Sequence, residues 1–446
     1  MSTRKPLYGF LTAQGVSLVG TRVSMIALPW FVLTTTGSAT ETGLVAFAEM
    51  TPLVILKVLG GPIIDRLGAR RVSIGCDVAS LVAVSAIPAL YAVGWLSFPV
   101  FLLLVALAGA LRGPGDGAKT ALVPHLVEQA AVPMERATGL SATVERTASM
   151  LGAAFAGGLV ALIGPADALV VDAISFGLSA LVLAWATRPL PSRSDAGRPV
   201  PGRPDASRPV PGPVVADDAV ETPAGYLTQL REGWQFLRGD RVLIGIAVMV
   251  ALTNLLDLAY ASLLVPVWAK ESGGGAGAIG LLFAVFSGAS VCGALMAAAW
   301  GTRLPRFKTY LFAFLIGGAP RFVVLVHGSP LWAVLAVAVV AGVTGGFINP
   351  VLGAVIFERI PSALMGRVTS LSTAMCFALM PFGGLLGGVL VSTWGLTVAL
   401  LACGAAYFAV TMLPALDPRW REMDRRPAVP AEPVEPGDPA AAGVPG

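Results

Sequence analysis

Residues Gly60–Arg71 read GGPIIDRLGARR, and they connect two long apolar stretches of the chain. The segment is short, and it places one acid and three arginines between stretches that are poor in charge. Glycines within it allow a tight turn and a close approach of two backbones. A charged loop of this kind suits a moving contact between membrane helices and does not suit an enzyme site. The residues that carry this interpretation are Gly61, Asp65, Arg66, Gly68, Arg70 and Arg71.

The composition indicates a membrane protein. Hydrophobic residues make up 55% of the 446 residues, charged residues make up 13%, and the mean hydropathy is +0.78. Soluble chains carry about 25% charged residues, and a helix needs about 20 apolar residues to cross a bilayer. The sequence predicts an all-α fold with twelve such segments: 7–33, 42–64, 72–93, 97–118, 137–162, 167–187, 242–267, 277–300, 309–327, 331–356, 367–392 and 395–416.

Basic residues predict the orientation of these segments. If the N-terminus is cytoplasmic, most of the 30 Lys and Arg residues, Lys119 among them, fall in cytoplasmic segments, and only Lys270 lies in an outer loop. Positive charge stays on the cytoplasmic side of membrane proteins. We therefore expect a multi-pass protein of the plasma membrane with both termini in the cytoplasm. The net charge of +4 therefore reflects the basic residues of the cytoplasmic loops. We expect no nucleic-acid partner, because binding would need a basic face on a soluble module and the sequence contains none.

Residues with metal or redox chemistry are few and scattered. The two histidines, His125 and His327, stand far apart, and no cluster of acids or cysteines accompanies them. We expect no metal site and no cofactor. A phosphate-binding glycine loop with a lysine is not found, which argues against transport driven by ATP. The four cysteines lie in apolar segments and are interpreted as small packing residues: Cys76, Cys292, Cys376 and Cys403.

The chain repeats itself. RATGLS at 136–141 matches RVTSLS at 367–372. Three glycines that follow the first block match three that follow the second at the same spacing: Gly152, Gly157 and Gly164 with Gly383, Gly388 and Gly395. Such a repeat predicts two parallel six-helix halves, which we place at 1–187 and 242–416.

Three further segments are predicted outside these halves. Residues 188–225 form a linker in which RPVPG occurs at both 198–202 and 208–212, and an extended segment of this composition cannot build a core. Residues 226–241 carry apolar residues at helical spacing, which predicts an amphipathic helix on the cytoplasmic surface. Residues 417–446 are rich in Pro and Ala, which predicts a disordered cytoplasmic tail.

The loop at Gly60–Arg71 resembles the signature G-x-x-x-D-R-x-G-R-R that connects the second and third spans of the major facilitator superfamily. TRVSMIALPWFVLTTTGSATETGLVAFAEMTP at 21–52 is similar to the start of its macrolide-efflux and enterobactin-exporter branch. ERATGLSATVERTASMLGAAFAGG at 135–158 and DAISFGLSAL at 172–181 are similar to it as well. The likeness extends over most of residues 7–416. It implies two bundles that open alternately to each side of the membrane and export amphipathic compounds as protons enter.

Two departures from the family pattern bear on proton coupling. The branch often has an acid after Gly20, where this chain has Thr21. Antiporters of the superfamily often carry Gly-Pro-x-x-Gly-Gly on the fifth span, and the matching residues GAAFAG at 152–157 contain no proline. Close helix packing explains these small residues equally well.

Charged residues inside the apolar segments are costly, and each is therefore a candidate for function. An acid that carries a proton must be charged in one state and neutral in another, and the candidates are Glu49, Glu145 and Asp257. We predict Glu49 and Asp257 near Arg22, and Glu145 near Arg112. The alternative is that each acid belongs to a fixed ion pair that holds helices in register. The resemblance implies that the first, fourth, seventh and tenth spans surround a cavity, and the candidates for contact with substrate there are Arg22, Arg112, Asn254 and Asn349.

The resemblance also implies a gate at the signature loop. Asp65 would accept hydrogen bonds from the amides that begin the eleventh span, near residues 366–367, where the helix dipole favours an anion. This contact would close the cytoplasmic side. Arg66 and Arg70 would pair with an acid at the end of the fourth span, for which Asp116 is the candidate.

These features predict a monomeric antiporter, and no enzyme, that exports amphipathic small molecules such as drugs, antibiotics or natural products. It would work by alternating access in the lipid bilayer, with the proton gradient as its source of energy. A facilitator or importer of small metabolites is the alternative on the same fold. A membrane sensor or partner-binding protein without transport is the alternative of another class.

Overall fold

The computed structural model describes residues 4–187, 226–300, 303–326, 328–361 and 364–424. Within these ranges the chain is helical and contains no β-strand, which confirms the all-α prediction. The predicted linker, residues 188–225, lies outside the described residues, and so do residues 425–446 of the predicted tail.

The first half consists of α1 (Lys5–Thr35), α2 (Ala39–Leu59), α3 (Gly61–Leu67), α4 (Ala69–Ala92), α5 (Phe98–Ala130), α6 (Met134–Ile163) and α7 (Pro165–Ala186). Ser38 determines where α2 begins, because its hydroxyl accepts a hydrogen bond from the amide of Glu41. Gly68 has a φ of 87°, which lets the chain turn from α3 into α4 within the signature loop.

The surface helix α8 (Tyr226–Gly239) precedes the second half. The second half consists of α9 (Arg241–Ala259), α10 (Val265–Glu271), α11 (Gly275–Trp300), α12 (Arg306–Gly317), α13 (Pro320–Val323), α14 (Leu331–Arg359), α15 (Met365–Ala378) and α16 (Phe382–Met412). A π-helical turn, Tyr260–Leu264, joins α9 to α10. Two 3₁₀ turns, Leu413–Leu416 and Pro418–Asp424, follow α16.

Ten helical segments of the described chain are long and apolar enough to cross a membrane. This count differs from the predicted twelve at two places. The predicted segment 309–327 is divided between α12 and α13, and neither helix is long enough alone. The predicted segments 367–392 and 395–416 lie in one apolar run, which turns at Gly395 with a φ of 78°. The multi-pass helical fold is therefore confirmed, and the number of twelve spans stays a prediction.

Two predicted boundaries are wrong in ways that affect the packing. α5 continues to Ala130, well beyond the predicted end at residue 118, and Lys119 is therefore helical. The tail predicted to be disordered from residue 417 begins with the turn Pro418–Asp424. Trp420 in this turn is buried against Tyr310, with 5.4 Å between the ring centres.

The helices pack into two bundles that follow the sequence repeat. In the first bundle, α1 lies against α6 and α7, and α5 lies against α2 and α4. In the second, α14 packs on α11 and α12, and α16 packs on α9. The bundles meet along two seams, where α2 lies against α16 and α6 lies against α11.

Glycines close both seams at the end of the molecule opposite the signature loop. We call this the distal end, and the other the loop end. A Cβ atom on Gly157 of α6 would lie 2.8 Å from the backbone nitrogen of Gly280 in α11. On the other seam, a Cβ atom on Gly384 of α16 would lie 2.8 Å from the carbonyl oxygen of Gly43 in α2. Small residues of this kind let helix backbones touch within a membrane.

A hydrogen bond also joins the two halves at the distal end. Nζ of Lys270, in the last turn of α10, donates to the carbonyl oxygen of Leu33 at 2.7 Å. Leu33 lies in the last turn of α1, where carbonyl groups have no partner within the helix. Nearer the loop end, the ammonium group of Lys57 in α2 lies 5.4 Å from the ring centre of Phe377 in α15.

Replacing Gly157 by valine should separate the halves at the distal end. The added side chain would collide with backbone atoms of Gly280 and Ala276, which can move only if α6 and α11 part. Spin labels at Thr36 and Ser272, in a background without the native cysteines, should report a longer distance by double electron–electron resonance.

Gly158→Val is the matched control for this experiment. A Cβ atom on Gly158 meets nothing within 4 Å, so this variant should keep the original distance. An unchanged distance in a folded Gly157→Val protein would contradict the closed seam.

Candidate functional site

A chamber lies between the two halves. Its volume is about 480 Å³, which is within the range of small-molecule sites. α1, α2 and α6 form its wall on one side, and α11 with the π-helical turn forms most of the other. Apolar side chains on both sides cover much of the wall. The polar residues that line it are Arg22, Glu49, Glu145, Arg146, Ser149, Ser262, Ser287, Ser290 and Asn349.

The chamber opens toward the loop end. Pro29 and Ser262, which line it near the closed distal seams, are buried. Ala142, Glu145 and Arg146 line it from the part of α6 nearer the loop end, and they are exposed. Solutes on the side of the signature loop can therefore reach the charged residues of α6.

Arg22 reaches the chamber from α1, as predicted from its place in the first span. Its Nη2 atom donates to Ser149 Oγ in α6 at 2.7 Å, and its Nη1 atom donates to the Met25 sulfur at 3.3 Å. Its Nε atom is buried and has no hydrogen-bond partner among the described residues. No described carboxylate forms an ion pair with this guanidinium. Arg22 therefore links α1 to α6 and keeps a charge that no acid neutralises by direct contact.

Glu49 forms a buried ion pair across two helices of the first half. Its Oε1 atom lies 2.7 Å from Nη1 of Arg112, and the two side chains are 8% and 14% exposed. We predicted Glu49 near Arg22 and Glu145 near Arg112, and neither pair forms an ion pair in this conformation. The reason is that α2, which carries Glu49, packs directly on α5, which carries Arg112.

Glu145 is an acid of the chamber without an ion pair among the described residues. It lines the chamber from α6, and it is exposed. It lies near enough to Arg22 for an electrostatic attraction, although the two side chains form no ion pair. Glu145 is thus exposed, whereas Glu49 lines the chamber as a buried side chain.

Asp257 in α9 forms an ion pair with Arg321 in α13, and the predicted proximity to Arg22 is not found. The guanidinium of Arg321 lies over three aromatic rings, which helps to hold a charge in apolar surroundings. The ring centres lie 4.7 to 5.1 Å from its Cζ atom and belong to Tyr407, Tyr260 and Phe322. Sequence analysis missed Arg321. Its position as a lone charge in the predicted span 309–327 is the signal that points to it.

The other predicted cavity residues divide between the chamber and the helix packing. Asn349 in α14 lines the chamber. Nδ2 of Asn254 in α9 donates to the carbonyl oxygen of Cys376 at 2.9 Å, which joins α9 to α15. Arg112 does not line the chamber itself. It forms an ion pair with Glu49, which does.

A second buried ion pair lies inside the first half. Nζ of Lys119 lies 2.9 Å from Asp77 of α4 and 3.2 Å from Ser17 of α1, and Ser179 of α7 donates to the same carboxylate at 2.7 Å. Lys119 is 7% exposed, so its predicted place in a cytoplasmic segment is wrong. The network joins four helices and gives both charges a partner, which indicates a structural role.

The signature loop lies at the surface of the first half. Its exposed residues include Gly61, Asp65, Arg66 and Arg71. Arg70, for which Asp116 was the predicted partner, instead donates to Thr187 Oγ1 at 2.8 Å and to the carbonyl oxygen of Ala184 at 3.0 Å. Arg70 thereby ties the start of α4 to the end of α7.

The start of α15, the predicted contact of Asp65, holds α8 in this conformation. Arg367 forms an ion pair with Glu232 of α8 at 2.6 Å. Leu237 of α8 is fully buried in a cluster with Ile360 and Val368. The predicted amphipathic helix is therefore packed on the second half.

Comparison with known proteins decides the family. The chain matches the model of the Major Facilitator Superfamily over residues 10–273 and 247–437. The chain belongs to this superfamily. The resemblance predicted from the signature loop is thereby confirmed, and so is the prediction of a membrane transporter that is not an enzyme.

Several efflux proteins are similar over nearly the whole chain. The multidrug efflux pump Tap of Mycobacterium tuberculosis (strain ATCC 25618 / H37Rv) is 29% identical over 430 residues, which cover 96% of each chain. Tap of Mycolicibacterium fortuitum is 26% identical, with 94% of this chain and 98% of that relative covered. Macrolide efflux protein A of Streptococcus pyogenes is 19% identical, with 94% and 97% covered.

Solved structures share the fold. The nucleoside transporter NupG has a TM-score of 0.69 at 12% identity, with 95% of this chain and 100% of that chain covered. A bacterial homologue of the human lysosomal transporter Spinster, inward-facing and unoccupied, has a TM-score of 0.62 at 13% identity, with 96% and 99% covered. At these identities the likeness concerns the fold alone.

Removing one member of the Glu49–Arg112 pair should destabilise the protein more than removing both. Glu49→Gln leaves the Arg112 charge buried without its partner, which costs about 3–5 kcal/mol of the free energy of unfolding. The double variant, with glutamine at both positions, should recover much of that loss. Equilibrium unfolding in detergent measures the free energy of unfolding of the original protein, Glu49→Gln, Arg112→Gln and the double variant, and strictly additive losses would show that the two side chains are not coupled.

Proposed function

We propose that this transporter exports amphipathic small molecules by alternating access, in exchange for protons. The observation that carries the proposal is the chamber, a space of about 480 Å³ between the halves whose wall is largely apolar and holds a few charged side chains. Such a site favours molecules with an apolar body and few polar groups.

Two observations support export as the direction. The relatives named multidrug efflux pump and macrolide efflux protein align with nearly the whole chain. The basic residues predict that the loop end faces the cytoplasm. With that orientation, the chamber in this conformation is open to the cytoplasm, where an exporter takes up its substrate.

The seams between the halves support alternating access. Opening the distal end would separate the glycine contacts and break the hydrogen bond from Lys270 to Leu33. Closing the loop end would bring the signature loop to the start of α15. Asp65 would then accept hydrogen bonds from the first amides of that helix, close to the present Arg367–Glu232 pair.

Glu145 is the strongest candidate for the acid that carries the proton. Glu49 and Asp257 are each paired with an arginine, so that protonation of either would leave an arginine without its partner. Glu145 lines the chamber without such a pair and is exposed. A proton and a cationic group of the substrate would compete for this carboxylate, which provides a physical basis for exchange.

Glu145→Gln should retain transport down a gradient and lose transport against one, because the amide cannot carry a proton. Counterflow of labelled substrate in proteoliposomes, at saturating concentration, should persist. Accumulation driven by an imposed pH gradient should fall to the level seen without a gradient. Glu49→Gln is the comparison, since it should lower stability and every mode of transport together. Accumulation at the original rate in Glu145→Gln would place the proton at another residue.

Asp65→Asn should slow efflux and leave substrate binding from the loop end unchanged. The neutral amide loses an attraction to the helix dipole of roughly 0.3–2 kcal/mol, which would weaken the state that is closed at the loop end. Efflux rates and binding affinities of the purified protein measure the two effects. Glu128→Gln is the control, because Glu128 is an exposed acid near the same end and the proposal gives it no role. Efflux at the original rate in folded Asp65→Asn protein would exclude the gate.

Transport of a labelled panel in proteoliposomes, with a pH gradient imposed in either direction, tests the proposed function. An exporter that exchanges protons should concentrate amphipathic compounds on the acidic side. Equilibration of the compounds that does not depend on the pH gradient would indicate a facilitator. Flux of the compounds in the same direction as the protons would indicate an importer. A folded protein that moves none of the compounds would favour a sensor or a partner-binding protein.

A further inference from the structure

We propose that the chamber binds zwitterionic amphiphiles, with Arg22 contacting an anionic group and Glu145 a cationic group of the same molecule. The inference rests on the proposed function, because it names the class of substrate that the exporter would carry. Both residues line the chamber, one from α1 and the other from α6, and these two helices pack on each other.

The guanidinium of Arg22 has donors to spare for an anion. It carries five N–H donors, and among the described residues it donates to the Ser149 hydroxyl at 2.7 Å and to the Met25 sulfur at 3.3 Å. Sulfur is a weak acceptor. An arginine in a largely apolar chamber is costly when no carboxylate contacts it. A ligand carboxylate, which matches the planar guanidinium, would reduce that cost.

Glu145 supplies the opposite charge on the same wall. It lies one helical turn from Ser149, which accepts a hydrogen bond from Arg22, and the two charged side chains form no ion pair in the described structure. The two side chains are therefore neighbours on the wall of the chamber that do not contact each other. A ligand with an anionic and a cationic group can lie between them and give each side chain a partner.

The remaining charges argue against ligands with a single charge. The wall and the layer behind it carry three arginines and two glutamates, namely Arg22, Arg112, Arg146, Glu49 and Glu145. A simple cation would meet an excess of positive charge. A simple anion would lie beside Glu145 and be repelled by it. A zwitterion adds no net charge and gives Arg22 and Glu145 a partner each.

Apolar side chains receive the body of the ligand. Phe283 and Phe286 line the chamber from α11, and Met25 and Met50 line it from the first half. Methionine side chains adapt to ligands of different shape, and aromatic rings offer flat apolar surfaces. The site therefore suits an aromatic body that carries an amine and a carboxylate at one end.

Four compounds with one body test the preference for two charges. They are biphenylalanine, its methyl ester, its N-acetyl derivative and its N-acetyl methyl ester. Isothermal titration calorimetry on the purified protein in detergent should show that biphenylalanine binds at least about tenfold more tightly than each of the others, because a contact with a charged group is lost in each.

Variants assign the two contacts. Arg22→Gln should abolish the preference for biphenylalanine over its methyl ester, and Glu145→Gln should abolish the preference over the N-acetyl derivative. Arg22→Lys keeps the charge and should retain part of the preference, which separates loss of the anion contact from loss of folding. If Arg146→Gln abolishes the preference as fully as Arg22→Gln, the positive field of the chamber is responsible and the assignment to Arg22 is overturned.

The outcomes separate this inference from the proposed function. Equal affinity for the four compounds, in a protein that still exports amphiphiles, would overturn the inference and leave the proposed function in place. Selective binding of biphenylalanine, in a protein that exports none of the panel, would support the binding site and contradict the proposed function.

Discussion

A bilayer cannot solvate a charge in its hydrocarbon, and this constraint organises the polar residues of the whole protein. Within the bundles, three acids have a basic partner: Asp77 with Lys119, Glu49 with Arg112 and Asp257 with Arg321. Asp172 is held by the hydroxyl groups of Ser24 and Ser175. Arg22, Glu145 and Arg146 instead face the chamber, where water or a ligand can solvate them. The distribution of charge therefore separates residues that hold the bundles together from residues that line the chamber.

The paired charges have a second property in common, which concerns movement. Glu49 and Arg112 belong to the first half, as Asp77 and Lys119 do, and the Asp257–Arg321 pair belongs to the second half. No buried ion pair of the described residues crosses the seams between α2 and α16 or between α6 and α11. Each half can therefore move as a rigid body without the separation of opposite charges in a medium of low dielectric constant.

Sequence determined the helices and the depth of the charges along them, because apolar length and the cost of burial are properties of each segment. It did not determine which charges meet, since depth says nothing about direction around a helix. Glu49 was accordingly predicted beside Arg22, although the packing of α2 on α5 places it beside Arg112. Arg321 is the lone charge of the predicted span 309–327, so the cost of burial points to it, but its pairing with Asp257 follows only from the packing. The serines and phenylalanines of α11 that line the chamber do not differ in pattern from residues that only pack.

The closure at the distal end has a kinetic consequence. Gly157 and Gly280 meet through backbone atoms, and so do Gly43 and Gly384, so no side chains interlock across these contacts. Interlocked side chains would have to change rotamer before two helices could part, and a densely packed surface resists such changes. The glycine contacts can separate without such changes, whereas the rings of Phe47 and Phe382, whose centres lie 5.5 Å apart across the seam between α2 and α16, must slide past each other. The rate of opening then depends on that ring contact and on directional contacts such as the hydrogen bond from Lys270 to Leu33, for which water can substitute once the seam opens.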